Sequence, residues 1–242
     1  MITLNLKLTK INILLILVND SRYRCEVRPT SSSGKVVRHP MTRDELRELG
    51  YIAPIATVPS ILQHGILSHN RAAKLQHEDI SLKHVNDYRA TRIIPTPSGG
   101  RKLHDYANLY ICPRNPMLLK KSDMHEQLCV LRVNANAIDI PGAIVTDANA
   151  GSKYTKNFKP APDGLSIVNY ARTCADWWNH PDNKIEGWQH SAQKCAEILV
   201  PNVVPATYTI GAYVCSSAAK ASLESVAGGL TVTINKHLFF KK

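Results

Sequence analysis

The sequence predicts an α+β fold. Strand-like runs crowd the second half of the chain: LCVLRV (128–133), AEILV (196–200), YTIGAYV (208–214) and LTVTI (230–234). They do not alternate regularly with helical stretches, whereas a doubly wound parallel sheet needs a helix after nearly every strand. The length of 242 residues suits one domain with a proper core, and 44% hydrophobic with 20% charged residues is ordinary for a globular chain.

The chain begins with MITLNLKLTKINILLILVND, in which Lys7 and Lys10 precede a short apolar run, Ile11 to Val18. That run is far too short to span a bilayer. It has the outline of a signal peptide, but no small-residue cleavage pattern follows. RPTSSSGKVVRHP reads as unstructured, so residues 1–40 read as a disordered appendage or upstream extension. Patterned sequence begins at Met41, with 41–242 as a single domain and Met41 as its functional start. VPSILQHGIL predicts a helix, with Pro59 in the first turn and Gly65 at the stop. HEDISLKHVNDYRATRI, from His77, has helical tendency and ends in PTPSGG, a loop by composition. LYI (109–111) is a strand candidate, and DGLSIVNYARTCADWW looks helical.

Lys+Arg is 30 against Asp+Glu 19, a net charge of +11. Residues 1–40 hold 7 Lys/Arg and 2 Asp/Glu, leaving +6 on the rest. Such a balance favours polyanions, although a lysine-rich soluble surface explains it equally well. The six cysteines are scattered without CxxC or framework spacing and read as reduced core thiols of a cytoplasmic protein. The dispersed histidines offer no zinc spacing, so no metal is predicted. Phosphate-loop, Rossmann and serine-hydrolase signatures are absent from the sequence.

Glu197 stands inside an apolar strand. Alternation points Ala196, Ile198 and Val200 to one face, with Glu197 and Leu199 on the other. It is either an exposed glutamate on a half-buried strand or a rigid carboxylate at a cleft. In a cleft it would hydrogen-bond a sugar hydroxyl or stabilise an oxocarbenium-like transition state. Arg89 and Arg92 are either solvated or a diphosphate clamp. His104 and Asp105 either orient a ligand or cap a turn. Helical spacing places some of Trp177, Trp178 and Trp188 in the core, and at least one suits base stacking.

Taken in order, YIAPIATVPSILQHGILSHN, NDYRATRIIPTPSGGRKLHDYANLYICPRNPML, LCVLRV, GAIVTDANA and KCAEILVP resemble the DarT family of DNA ADP-ribosyltransferase toxins. The resemblance runs from about Glu45 to Val214 and is most specific in LHDYANLYICPRNPML. It implies an ADP-ribosyltransferase-like split β core, mainly antiparallel, with flanking helices and NAD as co-substrate in the cleft. It also implies ADP-ribose transfer onto a base of single-stranded DNA, most often thymidine and in some members guanosine. The implied partner is a DarG-like macrodomain antitoxin, with no membrane involved.

The family's catalytic residues fall on Arg89 and Glu197. Its NAD contacts fall on Tyr51, Ile52 and Ala53, then around Ser60 and from Leu67 to Asn70 (including Ser68), with His77 to Arg92 lining the pocket. The stretch from Asp147 to Glu197 would hold DNA, with Lys153, Lys156 and Lys159 on phosphates. Members usually carry a histidine beside a tyrosine in the first strand. Here the pair is Gly50-Tyr51, which leaves Tyr51 to stack on nicotinamide or donate to it. Two other readings belong to different classes. One is a binding module of the same fold without turnover, which Gly50 would permit. The other is an RNA 2′-phosphotransferase, for which no distinct basic constellation exists in the sequence.

Overall fold

The computed structural model describes residues 39–75, 89–96, 99–152 and 155–242. Its centre is an eight-stranded sheet. In chain order the strands of the fold are β1 (Glu48–Pro54), β2 (Ile66–Leu67), β3 (Ile93–Thr96), β4 (Gly99–Lys102), β5 (Tyr106–Tyr110) and β6 (Leu128–Asn134). There follow β7 (Ile144–Thr146), β8 (Phe158–Pro160), β9 (Glu197–Pro201), β10 (Val203–Val204), β11 (Thr209–Val214) and β12 (Val232–Ile234). The sheet runs β12-β11-β6-β1-β5-β9-β7-β8, and two small ribbons, β2 with β10 and β3 with β4, flank it. All pairs are antiparallel except β11 with β12.

Most helices are short: α1 (Val58–His64), α2 (His69–Ala72), α3 (Pro116–Lys120), α4 (Tyr170–Thr173), α5 (Lys184–Gln193) and α6 (Ser217–Val226). In α1 Pro59 occupies the first turn, and Gly65 takes φ 81° at the stop, a left-handed angle that glycine alone adopts without strain. Its missing side chain also matters: a Cβ would lie 2.4 Å from the Val204 carbonyl oxygen.

The strand readings hold, most of them shifted by a residue or two at their ends; β5 begins three residues before the expected LYI. β9 lies between β5 and β7, so residues 196–200 are all buried. Alternation survives there: Ala196, Ile198 and Val200 pack in one cluster and Leu199 in another. Each such aliphatic side chain contributes roughly 1.5–3 kcal/mol of burial.

Three readings are corrected. PTPSGG is not a simple loop, because Ile93–Thr96 pairs with Gly99–Lys102. Ile94 buries its side chain with Leu103, Tyr106 and Leu199, and Gly100 lets Ile93 lie close across the ribbon. DGLSIVNYARTCADWW is not one helix. Residues 168–170 are drawn into extended pairing, with Met41 N–H on the Val168 carbonyl and Tyr170 N–H on the His39 carbonyl, both at 2.9 Å. Only a 3-10 turn at 163–167 and the single turn α4, capped by Asn169, remain helical. Finally, none of the three tryptophans joins the core: Trp177 and Trp188 are exposed and Trp178 is half-buried.

Candidate active site

Glu197 is the first residue of β9, opposite Tyr110 of β5, and no part of it reaches solvent. Its own N–H donates to Thr146 Oγ1 at 3.1 Å. Carboxylate Oε2 accepts the Ala150 N–H at 2.9 Å, and Oε1 accepts from Asn108 Nδ2 at 3.2 Å. Arg89 Nη1 stands 3.5 Å from Oε1, its side chain 12% exposed. Burial pushes the Glu197 carboxyl upward from its ordinary pKa, and Arg89 and the Ala150 N–H act against that rise.

Tyr110 lies in the same enclosure. Burial, and then the Glu197 carboxylate, hold its phenol well above the usual range, with Tyr51 also within electrostatic reach. Tyr110 therefore keeps its proton at neutral pH and can donate to a ligand. The turn after β7 shapes the other wall. A Cβ on Gly151 would come within 2.6 Å of Arg89 Cγ, so a missing side chain gives the arginine stem its passage.

β1 and β5 meet at one register position only, Gly50 with Tyr110. On its other side β1 pairs with β6 along its whole length. Beyond Gly50 the two strands part, so among the described residues no strand pairs with the β5-facing edge of β1 after Tyr51. A mainly antiparallel sheet opened in this way next to a buried carboxylate leaves backbone donors and acceptors for a polar ligand.

The remaining sequence candidates divide. Tyr51 is half-buried beside Tyr110, but the side chains of Ile52 and Ala53 pack into the core, so they offer a ligand only backbone. Ser60 is exposed on α1. Ser68 is buried before α2, its N–H on the Asn202 carbonyl at 2.7 Å. In α2, Asn70 donates to Asp105 at 2.7 Å and His69 stacks on His104 at 4.1 Å, so His104 and Asp105 brace this turn.

Arg92 is tied to the Thr155 carbonyl at 2.9 Å and lies over Phe158. Lys156 and Lys159 are exposed, Lys159 on the edge strand β8. Lys153 and residues 77–88 lie outside the described residues. Cys112 is buried, with the fully buried Lys194 Nζ 3.2 Å from its sulfur.

The empty place at Gly50 has a local cause. A Cβ there would lie 2.7 Å from the Pro113 ring, so the turn after β5 already fills the space of a side chain. Sequence reasoning passed over Asn108, Tyr110, Thr146, Ala150 and Gly151. A polar Asn inside YANLY was the available signal for the first. Thr146 and Ala150 act through a hydroxyl on a backbone and a backbone N–H, which composition does not reveal.

A family model described as "ssDNA thymidine ADP-ribosyltransferase, DarT" matches residues 51–240. The chain belongs to the DarT family. The DNA ADP-ribosyl transferase–DNA ADP-ribosyl glycohydrolase fusion protein of Thermosipho africanus is 29% identical over 200 residues, covering 78% of this chain and 47% of the relative. The chain thus spans about half the length of that DarT relative. The structure of Thermus sp. 2.9 DarT in complex with ADP-ribosylated ssDNA superimposes with a TM-score of 0.71, at 23% identity, over 83% of this chain and 100% of the other. The same protein in complex with NAD+ gives 0.66 at 22% identity, over 81% and 98%. The mixed α/β architecture with its mostly antiparallel sheet is the DarT fold. Among the described residues, no helix is long and apolar enough to cross a membrane. No group of three or more His, Cys, Asp or Glu there is arranged to hold a metal ion.

Proposed function

We propose that the chain transfers ADP-ribose from NAD to the ring N–H of thymidine in single-stranded DNA, releasing nicotinamide. The observation that carries the reading is the buried Arg89–Glu197 pair beside the parting of β1 and β5. Membership of the DarT family adds the substrate class.

The chemistry follows from charge. As the C1′–nitrogen bond to nicotinamide breaks, the bonding pair leaves with nicotinamide and positive charge develops on the ribose. A fixed carboxylate binds that state better than the ground state. Glu197 accepts from the ribose 2′-hydroxyl and faces the developing cation. Its orientation comes from Ala150 and Asn108. Tyr51 stacks on or donates to nicotinamide, with backbone from Ile52 and Ala53, and Ser60 and Ser68 border the same ligand. The donor set suits NAD: a carboxylate for the ribose, neutral phenols for an amide, and an arginine for anionic character.

Arg89 contacts NAD and lowers the cost of removing the proton from the incoming base nitrogen; the proton leaves to solvent, and the nitrogen's freed electron pair forms the new bond to C1′. Lys153, Lys156 and Lys159 serve DNA phosphates. The 41–242 unit acts in the cytoplasm as a toxin opposed by a DarG-like macrodomain antitoxin that removes the modification.

The test is direct. The full chain is incubated with NAD and mixed-sequence single-stranded DNA, and the DNA mass is measured. A gain of one ADP-ribose, lost in Glu197→Ala and reduced at least roughly 100-fold in Arg89→Ala, is the expected result. Fragmentation then names the base, with guanosine as the outcome that would correct thymidine. No gain from folded protein that binds NAD would overturn transfer in favour of a binding-only member of the fold.

A further inference from the structure

An open cleft of about 550 Å³ lies between α5 and the turn after β7, lined by Pro116, Asn149, Ser152, Trp188, Ser191 and Cys195. Two links tie it to the reaction centre. Asn149 and Ser152 flank Ala150, whose N–H orients Glu197, and the Asn149 N–H donates to the Ala192 carbonyl at 3.1 Å. The α5 side is built by helical periodicity: Trp188, Ser191, Ala192 and Cys195 follow at i, i+3, i+4 and i+7 and share a face.

Trp188 is 58% exposed and Ile185, one turn before it, 63%. The other exposed tryptophan, Trp177, is committed elsewhere, near Trp178, Phe240 and the Arg114 guanidinium. No ring or cation among the described residues packs on Trp188 in this way. A large flat ring left bare over a cleft with an amide and two hydroxyls on its rim is the arrangement that holds an unstacked nucleobase.

We propose that Trp188 is the stacking floor for a base of the acceptor strand. This rests on the reading of the chain as a transferase for single-stranded DNA. Neither Glu197 nor Arg89 lines the cleft, so the base held there is a neighbour of the one modified, not the modified base itself. Asn149 Oδ1 is held by the Gly151 N–H at 2.8 Å, which aims its amide group, and that amide with the Ser191 hydroxyl discriminates base edges, which makes the cleft a reader of flanking sequence.

The test uses the full chain, NAD and two single-stranded oligonucleotides. One is intact; the other carries abasic sites on both sides of the reactive nucleotide. Trp188→Ala raises KM for the intact strand about 5- to 150-fold, the range that loss of a base-stacking aromatic gives. KM for NAD and the melting temperature stay at wild-type values, and Trp188→Phe recovers most of the loss. The abasic strand shows the same penalty with wild type and no further penalty with Trp188→Ala. An unchanged KM for DNA in Trp188→Ala, or a parallel rise for NAD, would overturn the proposal while leaving the transferase reading intact. If wild type transfers nothing, that reading fails by itself. Stacking is then read from the fluorescence of a Trp177→Phe, Trp178→Phe protein titrated with the intact strand. Quenching supports the subsite and its absence overturns it.

Discussion

Glu197 brings together two demands that pull apart: catalysis needs a carboxylate, and burial favours the neutral acid. Burial raises its pKa above the ordinary 4.5, and Arg89 offsets only part of that rise. The sign of the pH effect follows. Between 4.5 and the raised native value the folded protein holds a proton that the unfolded chain has lost, so stability falls as pH rises through that window. Activity, which needs the anion, rises over the same window. Glu197→Gln should therefore abolish nicotinamide release yet melt at a higher temperature than wild type at neutral pH. The difference should vanish below 4.5. Calorimetry across pH on both proteins measures it; a Gln variant that is less stable at neutral pH would show that the Arg89 pair outweighs desolvation. Glu197 was legible as a candidate because a charge inside AEILV is out of place. Its neighbours Ala150 and Gly151 were not, since a backbone N–H and a missing side chain leave no trace in residue chemistry.

At the scale of elements, strands were readable and α5 was not. LCVLRV and AEILV are each apolar at all positions but one, Arg132 and Glu197, and include the β-branched residues that central strands favour. KIEGWQHSAQ announces a helix only weakly: Ile185, Trp188 and Ala192 make a thin apolar stripe, and Gly187 interrupts it. Tertiary ties hold it instead. Asn183 caps its start, and Arg172 pairs with Glu186. At the other end the buried Lys194 donates to the Thr173 and Ala175 carbonyls at 2.9 and 2.7 Å.

His190 is the titratable member of this set. Its Nε2 meets the Arg172 carbonyl at 3.0 Å and its Nδ1 meets His180 Nε2 at 2.8 Å; in its neutral form His190 donates through Nε2 and accepts through Nδ1. Burial lowers its pKa from 6.5 to about 4, and the nearby Arg172, His180 and Lys194 side chains add to the effect. Stability from this group is fully present above 6.5 and is lost as pH falls toward 4, because the unfolded chain takes up the proton first. Protection factors of the α5 amides, corrected for the intrinsic pH dependence of exchange, should fall across that range while those of β6 stay high, and His190→Gln should flatten the response. Uniform loss of protection in both elements would place the titration elsewhere.

Across the whole molecule, segment 235–242 joins parts of the fold that are distant in sequence. Asn235 N–H bonds the Val214 carbonyl at 2.9 Å, continuing from β11, and Leu238 and Phe239 are fully buried. The His237 carbonyl accepts from Arg114, the arginine of the turn after β5, whose guanidinium lies 4.0 Å from the Phe240 ring centroid and 5.3 Å from that of Trp177. His237 also meets Asp176 at 3.0 Å. One segment thus fixes both the turn that covers Gly50 and the stretch leading into α5. Two substitutions separate its roles. Phe239→Ala empties a core site and should cost about 3–5 kcal/mol, a fall in melting temperature on the order of 10 °C. Arg114→Met keeps volume but removes the charge that holds Asp176, so it should leave the core intact and free the 174–178 stretch. Its tryptophan emission should shift to the red and KM for single-stranded DNA should rise, while NAD affinity stays at the wild-type value. Equal losses toward NAD and DNA would mean that the clasp supports the whole cleft rather than the acceptor side alone.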